Sequence, residues 1–139
     1  MQSKESIISF NPTPLQYYKD YYTWSEAWMG EEKDRAIGDA ILQEYIPFIE
    51  SLVQQGLAKS TIKKHMLNLC VLGSEIIGRI QDEPRRKKWP AKKLLLEYLD
   101  DEGGPLTHCW DPNNNTDFKY ILAYDSICRK LYRFIKDQN

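Results

Sequence analysis

The chain has 139 residues, of which 42% are hydrophobic and 28% charged, and its formal net charge is −1 at pH 7. That length fits one domain able to bury roughly two thirds of its unfolded surface, and the composition excludes a chain that is disordered throughout. No apolar run approaches the ~20 residues that cross a membrane, the start lacks the basic and apolar regions of a secretory signal, and Cys70, Cys109 and Cys128 lack the pair spacing of a disulfide framework; a cytoplasmic protein is the expectation.

Residues 1–14 carry Asn-Pro and Thr-Pro breakers and read as an extended arm. Residues 15–29 hold Tyr17, Tyr18, Tyr21, Tyr22, Trp24 and Trp28. So many rings either lie on a helical core with their polar tips wet or form a contact surface for a partner. Among them Tyr17, Tyr18, Tyr21, Tyr22 and Trp24 are the candidate partner contacts, and Trp28, nearest the next helix, is expected to be structural. The arm is taken as residues 1–30 and the helical domain as residues 31–139.

Residues 31–55 have helical apolar spacing, from Ala36 and Ile37 to Leu52 and Val53, with Glu31, Glu32 and Asp34 at the favourable end of the helix dipole. Pro47 is expected to bend or split this helix. Gly56 suits a left-handed helix stop, and Ser60 is the expected N-cap of the helix that follows. In residues 60–80, Ile62, Met66, Leu69, Gly73, Ile76, Ile77 and Ile80 fall on one arc at ~100° per residue, which Leu67, Cys70, Val71 and Leu72 widen. Thr61, Lys64, Asn68, Glu75 and Arg79 share the remaining polar strip. This is the pattern of a helix packed on several sides.

Pro84 and Pro90 bracket a basic loop that contains Trp89. Residues 91–101 read as a short helix stopped by Gly103-Gly104-Pro105, residues 106–115 as a loop, and residues 116–136 as the last helix. The fold class is therefore all-α: a single-domain bundle of about four main helices with an N-terminal aromatic arm.

Charge is polarised along the chain. Residues 56–93 hold ten Lys and Arg against three acids, whereas both flanks are acidic. Six cations fall within residues 85–93, a density that suits a polyanion, of which phosphates are the commonest. The candidate nucleic-acid contacts are Lys59, Lys63 and Lys64 at the helix corner, and Arg85, Arg86, Lys87, Lys88, Lys92 and Lys93 in the loop. The loop could equally meet the acidic flanks of its own chain. His108-Cys109 is the best metal candidate, but His65, Cys70 and Cys128 are the only further nitrogen or sulfur donors and no paired-ligand spacing exists. No metal and no cofactor is expected, and an enzyme built on His108 and Cys109 ranks last.

Gly56-Leu-Ala-Lys-Ser-Thr-Ile-Lys-Lys-His-Met-Leu-Asn-Leu, preceded by Phe48-Ile-Glu-Ser-Leu-Val, resembles the N-terminal core-binding (SAM-like) domain of phage-integrase-type tyrosine recombinases. The likeness covers about forty residues, and the motif is short and degenerate. It implies a helical clamp on DNA. The catalytic His-x-x-Arg box of that family is missing, since Met-Leu-Asn follows His65 and Cys-Trp-Asp follows His108. The resemblance thus implies a stand-alone relic or adaptor without recombinase activity. The leading expectation is a non-catalytic module that contacts nucleic acid through residues 59–93. The second is a protein-interaction factor, an inhibitor or adaptor of mobile-element origin, which covers a basic surface of a partner with its acidic flanks and aromatic arm.

Overall fold

Helix α3 (Lys59–Ile80) forms the centre of the structure, as its wide apolar arc requires. The computed structural model describes residues 10–107 and 110–138. On α3 pack α1 (Trp24–Trp28), α2 (Asp34–Gln54) and α5 (Asn115–Asp137), while α4 (Ala91–Tyr98) packs on α2 and α5, with short 3-10 turns at Pro14–Gln16, Tyr21–Thr23 and Pro84–Lys88. Among the described residues the fold is all-α, with no strand, and one hydrophobic cluster runs through all five helices.

The α2–α3 corner is tighter than its sequence suggests. Gly56 takes φ +76° and closes α2, as expected of a left-handed stop. Only Leu57 and Ala58 are then needed to reverse the chain. Ala58, in extended conformation, is the N-cap, and its carbonyl accepts from Ile62 N–H at 3.0 Å. Ser60 therefore lies inside the first turn of α3 and does not cap it. Pro47 does not split α2, which continues to Gln54; the proline sits on the exposed face, so its ring and its missing donor are turned away from the core. Glu75 leaves the polar strip assigned to it: it is buried on α3, with Arg79 Nε 2.8 Å from its carboxylate one turn on.

Residues 10–30 fold onto the helices and share their core. Tyr21 is fully buried and its hydroxyl donates to the Leu42 carbonyl at 2.6 Å. Tyr45 crosses from α2 to the Leu69 carbonyl of α3 at 2.9 Å. Trp28 enters a slot between α2 and α3 that two glycines keep open. A Cβ on Gly38 would stand 2.8 Å from the Ser25 Cβ, and one on Gly73 would overlap the six-membered ring of the indole.

Helix α4 ends at Tyr98, three residues before the expected stop. Asp100 is the reason. Its Oδ1 accepts from Glu102 N–H at 2.8 Å and Gly103 N–H at 3.1 Å, and Asp100 and Gly103 exchange both backbone bonds. A short acidic side chain that bonds the backbone ahead of it competes with helix continuation. Residues 100–102 are thus a turn rather than a solvated helix end. Asn114 caps α5 by accepting from Thr116 N–H and Asp117 N–H.

Candidate nucleic-acid interface

The basic segment does not form one surface. Lys59, Lys63 and Lys64 lie in the first turns of α3, while Arg85 to Lys93 follow its last turn. A 22-residue helix separates the two groups, and at 1.5 Å per residue that is about 30 Å.

In the loop, most of the charge is turned inward. Lys87 Nζ lies 2.9 Å from Glu31 Oε2, 3.1 Å from Asp34 Oδ1 and 3.0 Å from Gln81 Oε1. The bond to Glu31, against a smaller desolvation cost, holds the Lys87 ammonium above its ordinary range, and Lys87 in turn holds the Glu31 carboxyl below its own. Asp34 is fully buried. Burial would push its carboxyl up, but Lys87, the Glu31 and Gly30 amides and Gln81 together hold it below the usual range. Arg86 Nη2 reaches Glu97 at 3.4 Å, its Nη1 donates to the Tyr98 hydroxyl at 3.0 Å, and its guanidinium sits 5.2 Å from the Trp89 ring centre. Lys93 Nζ lies over Trp89 at 4.2 Å. Lys92 is also engaged. Arg85 and Lys88 are the loop cations that face outward without a partner among the described residues. The loop thus meets the acids of its own chain, at the start of α2 and in α4. A cleft of ≈ 240 Å³ lies beside Glu83, Arg85, Arg86 and Trp89.

The other end of α3 differs. Helix α5 packs antiparallel to α3, so its last turns come to the α2–α3 corner: Phe48 and Phe134 meet edge to face at 5.6 Å, and Lys130 stands beside His65. This gathers Lys59, Lys63 and Lys64 with Lys130, Arg133 and Lys136 at one end of the bundle. Lys63 covers the Tyr18 ring at 5.1 Å, Lys136 covers Tyr132 at 5.9 Å, and Arg133 stands 4.0 Å from Asp101 with both side chains largely in water. Lys59, Lys64 and Lys130 face outward without a partner among the described residues. The C-termini of α2 and α5 bring about half a negative charge each to this end, and the N-terminus of α3 about half a positive one. Six full cations outweigh that balance together with Asp101 and Asp137. In sequence, Lys130, Arg133 and Lys136 look only like dipole-compensating cations at the end of α5. No local pattern brings them to Lys59, because the antiparallel return of α5 is a tertiary fact.

Between the same three helix ends lies an open groove of ≈ 510 Å³. Its lining includes the buried Phe48 and Leu52, the half-buried Leu57, His65 and Phe134, and the exposed Lys130 and Arg133. Burial, and then the charge of Lys130, push the His65 imidazole below its ordinary range, so it is neutral at pH 7.

The aromatic arm is less available than its composition suggests. Tyr21 is part of the core and offers no surface in this fold. Tyr17, Tyr18, Tyr22 and Trp24 are partly buried against that core. The Tyr18 and Tyr22 hydroxyls donate to the Lys63 and Asn11 carbonyls at 3.3 and 2.8 Å. A ring that buries its area against its own chain has little left for a partner. Trp28 is 8% exposed and structural, as expected.

His108 and Cys109 lie outside the described residues. Among the described residues no group of three or more His, Cys, Asp or Glu is placed to hold a metal ion, and no helix is long and apolar enough to cross a membrane. Burial raises the Cys70 thiol, and raises that of Cys128 far above its ordinary range; both behave as small core groups. No protein family, curated protein or solved structure matches the chain.

Proposed function

We propose that the protein is a non-catalytic helical binding module that contacts nucleic acid through the basic end of the bundle. Lys59, Lys63, Lys64, Lys130, Arg133 and Lys136 carry the contact, with Arg85 and Lys88 as a lesser site at the far end of α3. The supporting observation is the pairing pattern. The loop cations Arg86, Lys87 and Lys93 are satisfied within the chain, whereas at the other end Lys59, Lys64 and Lys130 face water and the Arg133–Asp101 pair is 4.0 Å long and exposed. Cations left in water are the ones that can displace counterions from a phosphate backbone. The corner is also the stretch that resembles the recombinase core-binding domain, where it would serve as a DNA clamp. In this reading the protein is not an enzyme, works in the cytoplasm and needs no cofactor.

A second reading, a protein-interaction factor, has its own support, which lies away from the arm. Phe118 and Leu122, one turn apart on the same face at the start of α5, are 48% and 54% exposed. Large apolar side chains grouped on one surface are more often contact than accident. Affinity capture from the native cell with and without nuclease separates the two. Loss of all partners on nuclease treatment is the result expected of the first reading. Retention of a stoichiometric protein partner, with no binding of purified protein to oligonucleotides at low salt, would replace it with the second.

A further inference from the structure

We propose that the groove at the basic end receives an unstacked base, so that the nucleic acid bound there is single-stranded. The inference rests on the nucleic-acid reading and specifies its ligand. A duplex presents phosphates on a convex surface and keeps its bases stacked, so it would use the cations of this end and leave a concave apolar groove empty. A single strand can use both. Its backbone meets cations while its splayed bases stack on aromatic rings, imidazoles or guanidinium planes. The groove places one of each around a common space: Phe134, His65 and Arg133, with Lys130 beside His65 as the phosphate partner and Leu57 also in the lining. Its volume of ≈ 510 Å³ falls in the range of ligand-sized sites. Thr61, also on its lining, supplies a hydroxyl able to meet a base edge. An alkyl ligand would be poorly covered here, because the groove is open along one side. An acidic peptide would use the charge and leave the three stacking groups unexplained.

The test is fluorescence anisotropy at low salt with a labelled 12-nucleotide single strand, as DNA and as RNA, against the same sequence as a duplex. Poly-glutamate, which carries charge without bases, is the competitor. The variants are Phe134→Leu, which keeps apolar volume and removes the ring, and the rim variants His65→Gln and Lys130→Gln, which leave the core untouched. Wild type is expected to prefer the single strand. Phe134→Leu or, if that variant melts early, His65→Gln is expected to weaken single-strand binding by roughly 5- to 150-fold, the loss of one stacked base, and to leave duplex binding unchanged. Lys130→Gln should lower the salt slope on the single strand by ~0.7. Equal binding of duplex and single strand, unaltered by the ring variants, overturns the groove assignment and leaves the basic-end reading standing. Binding of poly-glutamate as tight as that of the strand overturns it too, since the groove would then read charge alone. Absence of binding to every oligonucleotide removes the underlying reading and this inference with it.

Discussion

The indole of Trp28 occupies the space that a side chain on Gly73 would fill. A Cβ added to Gly73 would overlap Trp28 Cη2, Cζ2 and Cζ3. This glycine of α3 thus exists to receive a ring from the arm, and it forgoes about 1 kcal/mol of helix propensity relative to alanine to do so. On the α2 side, Gly38 gives Trp28 Cε3 the same room, at 3.2 Å from an added Cβ. The arm is therefore fixed to the bundle by one large residue held between two helices.

Gly73→Ala should lower stability by about 1–3 kcal/mol through overpacking, despite alanine's better helix propensity. Trp28→Ala should cost about 3–5 kcal/mol through the cavity it leaves. Chemical denaturation of the single variants and of the double variant checks this. In the double variant the new methyl enters the emptied slot, so its loss should be smaller than the sum of the two. Strict additivity would show that the two residues do not share that space.

Asp34 ties the start of α2 to the loop after α3. It accepts from Gly30 N–H, Glu31 N–H and Gln81 Nε2 and faces Lys87. Asp34→Asn removes the charge and turns donors toward donors, and it should lower stability at pH 7 by about 1–3 kcal/mol. The folded carboxyl lies below its ordinary range. Its contribution is therefore fully present above the unfolded value of ~3.9 and is lost as pH falls through the lower folded value. The wild-type stability curve should fall more steeply than that of Asp34→Asn below about pH 4.

His65 acts in the same direction at higher pH. Its imidazole titrates below its ordinary value in the folded protein, so the unfolded chain binds a proton first as pH falls. Stability should then rise with pH across the window that ends near ~6.5 and be level above it with respect to this group. His65→Gln should flatten that slope. The difference between the wild-type and variant stability curves isolates His65, because the substitution leaves the other groove residues, Lys130, Arg133 and Asp137, in place.

The sequence is most legible where the physics is local. The arc of Ile62, Met66, Leu69, Ile76 and Ile80 marks the buried helix, Gly56 marks the stop before it, and both are found where they are expected. Local reading fails where two local signals compete. Ser60 is a good cap, but the corner closes two residues earlier at Ala58. Asp100 could stand in a helix, but its side chain bonds the backbone ahead and ends it. Charge is the least legible feature. Lys87 and Lys88 are neighbours in sequence, yet one is pinned to Glu31 and Asp34, more than fifty residues back, and the other faces water. Lys130 joins Lys59 only because α5 returns antiparallel to α3. The composition of residues 59–93 therefore points to a polyanion, while the pairing seen in three dimensions decides which of those cations are free to meet one.

That division between paired and unpaired cations is the central claim, and the salt dependence of binding tests it most directly. Two variants of equal charge change are compared on a short oligonucleotide: Lys59→Gln with Lys130→Gln at the basic end, and Arg86→Gln with Lys87→Gln in the loop. With melting temperatures in hand, log Kd is measured against log salt for each. The basic-end variant should lose roughly 0.7–0.9 of slope for each phosphate contact removed, while the loop variant should bind with the wild-type slope and lose stability instead. The reverse result, an unchanged slope at the basic end and a reduced one in the loop, would contradict the account.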